Sequence, residues 1–268
     1  MKKYWHVIGI GLQNNLTYRF NYLARTLFGF IPLFAMLSLW RTIYAGKSAG
    51  SSLGGYSQAE MIFYYLMVAV VDVLTAVNED DWQIAADIRE GNISQFLLKP
   101  IDYLGYRLCL FFSGRIAFIM MACVPLAVFI LCFRGSVVAP ASGTALLVFP
   151  VSLLMTALLQ FFISYAMAML AFWLLEISTL IFILFAFEYL SSGHLFPLDL
   201  LPLPLQHVLM WTPFPYQLYL PIGIYMGRID GADVWRGLLA QLAWVLLAYL
   251  FARLMWRHGI KKYAAFGG

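Results

Sequence analysis

Charge is the scarcest property of this chain. Of its 268 residues, 11% are Asp, Glu, Lys or Arg and 63% are hydrophobic, whereas a soluble domain is about a quarter charged. That imbalance, with a mean hydropathy of +0.81, excludes a soluble globular fold. Cysteine is rarer still. Cys109, Cys123 and Cys132 fall in one apolar stretch, at spacings that suit neither a zinc site nor a disulfide framework, and read as small core residues. The four histidines, His6, His194, His207 and His258, are scattered. No His-Glu-x-x-His run occurs and no carboxylate pair stands beside a histidine in an apolar run, which argues against a membrane-embedded enzyme. A phosphate-cradling loop is missing as well. Gly46-Lys47-Ser48 has Arg41 where such a loop needs its first glycine. No internal repeat is visible. Lys2 and Lys3 give a basic start, but Gly9–Asn15 is too polar for the core of a cleavable signal, so none is expected.

Long apolar runs are what the chain has in abundance, each able to cross a hydrocarbon core about 30 Å thick. They predict an all-α membrane protein with six transmembrane helices, at 22–44, 58–77, 108–133, 144–171, 175–192 and 234–256. The fourth and fifth are parted at Glu176-Ile177-Ser178, because residues 144–190 as one helix would reach about 70 Å. Residues 1–20 are amphipathic. Trp5, Ile8, Leu12 and Leu16 recur at three- and four-residue spacing and predict a helix lying in the membrane surface. Residues 193–228 hold six prolines. They are too broken for a straight helix and too apolar for an exposed loop, which predicts short re-entrant or interfacial helices on one leaflet. With the N-terminus in the cytoplasm, Arg41, Lys47, Arg134, Arg228 and Arg236 lie outside, leaving twelve of the 17 Lys and Arg inside. The positive-inside rule thus places both termini in the cytoplasm.

One polar island interrupts the apolar pattern, at 79–105. Asp80, Gln83, Asp87, Glu90 and Ser94 step by three and four and form a polar stripe on a helix. Trp82, Ala85, Ala86, Ile93, Phe96 and Leu97 supply apolar surface, Gly91 loosens the helix and Lys99-Pro100 ends it. Such a cytoplasmic helix suits docking to a partner. A solvated connection packed beneath the bundle carries the same pattern.

The run Asp87–Ile101, DIREGNISQFLLKPI, resembles the signature that follows the second span in ABC-2 type permeases of ABC transporters. Ser192, Gly193, Phe196, Pro197, Pro213, Phe214, Tyr216, Pro221 and Gly227 are similar to that family's pattern before its last span. The resemblance implies a multi-pass membrane subunit of a bacterial exporter in the plasma (cell inner) membrane. It implies a dimer with a second permease, identical or homologous, seated on cassette ATPase subunits. ATP and magnesium would then be held by the ATPase, with no cofactor or metal on this chain and no enzyme activity of its own. The coupling element would comprise Asp87, Ile88, Arg89, Glu90, Gly91, Phe96, Lys99 and Pro100. The cargo would be an amphiphilic or small molecule, not nucleic acid.

Acidic groups inside spans are a separate signal, because a charge at the bilayer centre costs about 2.5–3.5 kcal/mol on insertion scales. Asp72 and Glu188 are such groups. With Phe196 and with His194, six residues beyond Glu188 and read as sharing a helix side with it, they form a candidate translocation path. A structural role is the plainer explanation of each, a hydrogen bond or, for Glu188, a pair with Arg41 or Arg134. Glu60, at the outer end of the second span, reads as solvated. The alternative function is a proton-coupled secondary transporter of amphiphilic substrates using Asp72 or Glu188, although six spans without an inverted repeat are few for that class.

Overall fold

The computed structural model describes residues 2–17, 19–48, 51–77 and 80–263. Glu79, at the head of the polar island, lies outside the described residues, as does the side chain of Asp80. The helices follow in order as α1 (Lys2–Thr17), α2 (Arg19–Ala45), α3 (Gln58–Thr75), α4 (Asp80–Arg89), α5 (Ile93–Leu97), α6 (Tyr103–Cys132), α7 (Gly143–Ala168), α8 (Ser178–Ser191), α9 (Leu203–Met210), α10 (Tyr219–Met226) and α11 (Gly231–Lys262). Five of them, α2, α3, α6, α7 and α11, are long and apolar enough to cross a membrane. The Tyr263 hydroxyl donates to Gly91 O at 2.7 Å and Lys3 Nζ meets Pro100 O. The first and last described residues therefore lie at one end of the bundle, with α4 and α5, and this is the termini end below.

Two cores hold the bundle. In the first, α7 and α11 run parallel, with Phe162 edge-on to Tyr249 and Gly259 giving way to the Phe172 ring. The base of α6 joins them, where Tyr103 stacks on Trp256 at 5.0 Å and Phe111 meets Phe161 at 5.2 Å. The second core joins Leu37 and Trp40 of α2 to an unbroken buried run of α3, Met61–Val68. A helix buried all round belongs at the centre of a bundle. By contrast α2 leaves Phe28, Ile31 and Phe34 exposed, a face suited to lipid.

The N-terminal helix has a packed face and an exposed one. Tyr4, Val7, Ile8, Gly11, Leu12 and Asn15 turn toward the first half of α6, while Trp5 is 72% exposed. Close backbone approach decides this, since a Cβ at Gly11 would stand 2.5 Å from Ser113 Oγ. Cysteine placement departs from expectation. Cys123 and Cys132 lie on the bundle surface, not in its core.

After α7 a 3-10 turn, Met169–Phe172, leads into a bend at 173–177. There the Glu176 carboxylate accepts from the Ser178 hydroxyl and, at 2.7 Å, from its amide, and those two bonds hold it below the usual carboxylate range. Helix α8 has 14 residues, a rise of about 21 Å, which is short of the bilayer core. The segment 175–192 is thus a short helix where the apolar run predicts a full span. It ends because Gly193 turns the chain at φ +104°, where a Cβ would meet Tyr64 Oη at 2.5 Å.

The proline-rich segment then folds as α9, a buried 3-10 turn at Phe214–Tyr216, and α10, which runs antiparallel to α7. The turn is pinned between α7 and α11 by Gln241, whose Nε2 is 2.8 Å from Tyr216 O, 3.0 Å from Ser152 O and 3.1 Å from Thr156 Oγ1. Gln241 Oε1 accepts from Ser152 Oγ at 3.0 Å. Broken backbone inside a bundle needs such donors, because no water is there to serve it. Gln241→Leu is expected to lower stability by about 1–3 kcal/mol for each group left unpaired, and Ser152→Ala by less. Thermal unfolding of the purified protein followed by tryptophan fluorescence measures both.

Candidate coupling element and buried polar site

The polar island is built around a buried arginine. Arg107, in the first turns of α6, is 4% exposed. Its Nη2 lies 3.0 Å from Asp87 Oδ2 of α4, its Nε donates to the Tyr103 hydroxyl at 3.0 Å, and its Nη1 reaches Gln83 Oε1 at 3.4 Å. Tyr103 in turn donates to Asp87 Oδ2 at 2.8 Å. Asp87 therefore faces inward onto α6, while Gln83, itself exposed, reaches back to it with its amide oxygen. Ile84, Ala85 and Ile88 are buried as well, and Trp82 packs on Phe182 of α8 at 5.9 Å.

What faces solvent is the far side and the tip. Arg89, Glu90, Gln95, Lys99 and Pro100 are exposed, and so are two leucines, Leu97 and Leu98, the latter by 88%. Gly91 makes the corner between α4 and α5 at φ +80°, and its carbonyl accepts from both Ser94 Oγ and the Tyr263 hydroxyl. Phe96 is tucked back against Tyr103 and Tyr106, with the Lys99 ammonium 5.5 Å above its ring. Asp102 caps α6 at Gly105 N and pairs with Arg253 of α11 at 2.6 Å, so the tip is also tied to α11.

A second polar centre lies deep in the bundle. Tyr64 and Tyr65 of α3 donate to Gly193 O and Leu195 O at 2.8 and 2.6 Å, which brings the turn after α8 against α3. His194 then stands with Nε2 3.0 Å from Asp72 Oδ1 and Nδ1 2.6 Å from Ser192 Oγ, its ring stacked on Tyr189. This pair divides two cavities. One, of about 300 Å³, is lined by α2, α3 and α6 and includes Arg25 and Arg115. The other, of about 130 Å³, is lined by α3, α7 and α8 and includes Gln160, Ser164 and Glu188.

The family model for the ABC-2 family transporter protein matches residues 30–267, from the middle of α2 onward. The chain belongs to the ABC-2 transporter family. No curated protein matches it. As a member of that family it is a multi-pass membrane component of a transporter.

In this ABC-2 protein, the residues proposed for coupling thus divide into two groups. Asp87, Ile88 and Phe96 pack inward, whereas Arg89, Glu90, Lys99 and Pro100 are at the surface. Three of the four path candidates, Asp72, Glu188 and His194, line one cavity, while Phe196 packs against the α2–α3 core. Glu188 and His194 share no helix side, because α8 stops at Ser191, and the Gly193 turn is what joins them. Glu60 is not simply solvated. It completes a capping box with Ser57 and pairs with Arg228 at 3.1 Å. Arg228 lies over the Tyr56 ring, and Tyr56 and Tyr219 both donate to Asp199 at 2.6 Å, forming a latch at the end opposite the termini. Gln160, Ser164 and Gln241 were detectable in principle as amides and a hydroxyl within apolar runs. Arg107 carried no such signal, since a basic residue at the base of a span normally reads as snorkelling.

Asp87→Ala should cost about 3–5 kcal/mol by leaving Arg107 buried without its counter-ion. Glu90→Ala should stay within about 0.5 kcal/mol, and adding Arg107→Met to Asp87→Ala should recover part of the loss. Thermal unfolding of the three purified variants checks this ordering.

Proposed function

We propose that the chain is the permease subunit of an ATP-driven exporter, working as a dimer whose second subunit is identical or homologous. Each copy rests on a cassette ATPase that holds the ATP and magnesium. The termini end then faces the cytoplasm, as the distribution of Lys and Arg favours, in the cell inner membrane. Six crossings follow from parity. The first and last described residues lie together, so α8, α9 and α10 jointly make the crossing that α8 is too short to make alone.

The observation that carries the coupling reading is the two-sidedness of α4 and α5. One side is locked to α6 through Arg107. The other presents Leu97 and Leu98 among Arg89, Glu90, Lys99 and Pro100, an exposed apolar tip rimmed by charge, of the sort that marks a protein contact. Arg89 also donates at 3.3 Å to the carbonyl of Leu175, a third exposed leucine beside the tip. A push on that tip passes into α6 and, through Asp102–Arg253, into α11. Rigid-body motion of these helices against α2 and α3 would open the path near Asp72, His194 and Glu188, with the Arg228 latch releasing at the outer end. A proton-driven carrier lacks such an argument for its cytoplasmic tip.

The test is co-purification. Replacing Arg89 and Glu90 by Ala and Leu98 by Asp should abolish capture of the cassette ATPase and its stimulated ATP hydrolysis while leaving the thermal midpoint unchanged. An equally stable variant that still captures the ATPase would overturn the coupling role.

A further inference from the structure

We infer that the smaller cavity is a binding site for a primary ammonium group. The inference deepens the permease reading, on which it rests, by naming the chemical class of what enters the bundle. The cavity of about 130 Å³ exceeds what a single water needs and has room for an ammonium with several carbons. Two carboxylates line it, Glu188 and Asp72, the latter also paired with His194, and no Lys or Arg does among the described residues. Arg25 and Arg115 line the larger cavity.

Acidity alone would not make this a site. The second observation is a pair of buried acceptors. Gln160 and Ser164, one turn apart on α7 and each 7% exposed, line the same cavity. Gln160 Oε1 and Ser164 Oγ have no hydrogen-bond partner. A buried polar atom left unpaired costs about 1–3 kcal/mol, so two on one wall call for a donor from outside the chain. An ammonium suits both needs, because its N–H groups serve the amide and hydroxyl oxygens while its charge meets the carboxylates. An anion would face the Glu188 carboxylate and find no donor at Gln160 Oε1, and a quaternary ammonium would leave the acceptors unpaired. His194, held between Asp72 and Ser192, forms the wall between the two cavities.

The test uses the full chain in lipid nanodiscs, with empty nanodiscs as the baseline for partitioning, and radiolabelled hexylammonium, hexyltrimethylammonium and hexanoate as probes. Hexylammonium is expected to bind saturably, hexyltrimethylammonium more weakly, and hexanoate not at all. Gln160→Leu and Glu188→Gln should each weaken hexylammonium by about tenfold or more. Gln160 Oε1 and Ser164 Oγ hold no internal bond, so Ser164→Ala, which removes nothing but the hydroxyl, serves as a second variant, and the thermal midpoint of both is measured alongside binding. Nanodiscs containing phosphatidylethanolamine, compared with phosphatidylcholine alone, identify the source. Competition by the former assigns the site to a lipid headgroup, and its absence to a free amphiphilic amine, both of which support the inference. No saturable hexylammonium binding, equal binding of hexanoate, or unchanged binding in all the variants would overturn it. If ATPase capture stays intact in that case, the permease reading still stands.

Discussion

The Arg107 guanidinium, enclosed at the foot of α6, is the constraint on which the termini end depends. A charge so nearly out of water cannot be left alone, because desolvation costs several kcal/mol unless partners recover it. Asp87 supplies the opposite charge, while Tyr103 and Gln83 occupy other donor positions. Tyr103 must then keep its hydroxyl at Asp87, which orients its ring against Trp256 of α11 and Phe96 of α5. One buried charge thereby fixes α4, α5, α6 and α11 relative to one another. Helix α4, whose backbone packs on α7 and the turn after it, is thereby also tied to the foot of α6.

The other end solves a different problem. Between Gly193 and Arg228 the chain breaks its helices repeatedly, yet much of it is buried among long spans. Each break inside the bundle needs a donor or acceptor from the protein itself. Tyr64 and Tyr65 serve the turn after α8, and Gln241, Ser152 and Thr156 serve the turn before α10. Nearer the surface, Asp199 gathers two tyrosine hydroxyls and Arg228 covers Tyr56. Aromatic and amide side chains that look like ordinary bundle packing are in fact the partners of an irregular backbone. The polar centre around Asp72 follows from this, since the Gly193 turn carries His194 to α3.

Much of the architecture is visible in the apolar pattern. The long runs from α2, α3, α6, α7 and α11 announce themselves because a hydrocarbon interior admits little else. The bend near Glu176 follows from length alone, and the breaks after Gly193 follow from proline. Boundaries and faces were less legible. Helix α6 begins at Tyr103, five residues before its apolar run, because polar groups there are satisfied by α4 and α11 and not by solvent. For α1, periodicity shows an amphipathic helix, but which of its residues meet α6 is set by the close approach at Gly11.

The sequence by itself determined that this chain is an all-helical membrane protein, that one polar helix follows its second span, and that its last third is broken. Those properties are set by composition and by residues whose backbone preferences are local. Only the tertiary structure decided which side of that polar helix is free, and that Asp72, Glu188 and His194 share a cavity with Gln160 and Ser164. The reason is physical. Whether a charged or amide group is exposed, paired or left waiting depends on what lies opposite it, and that partner comes from helices distant in the chain.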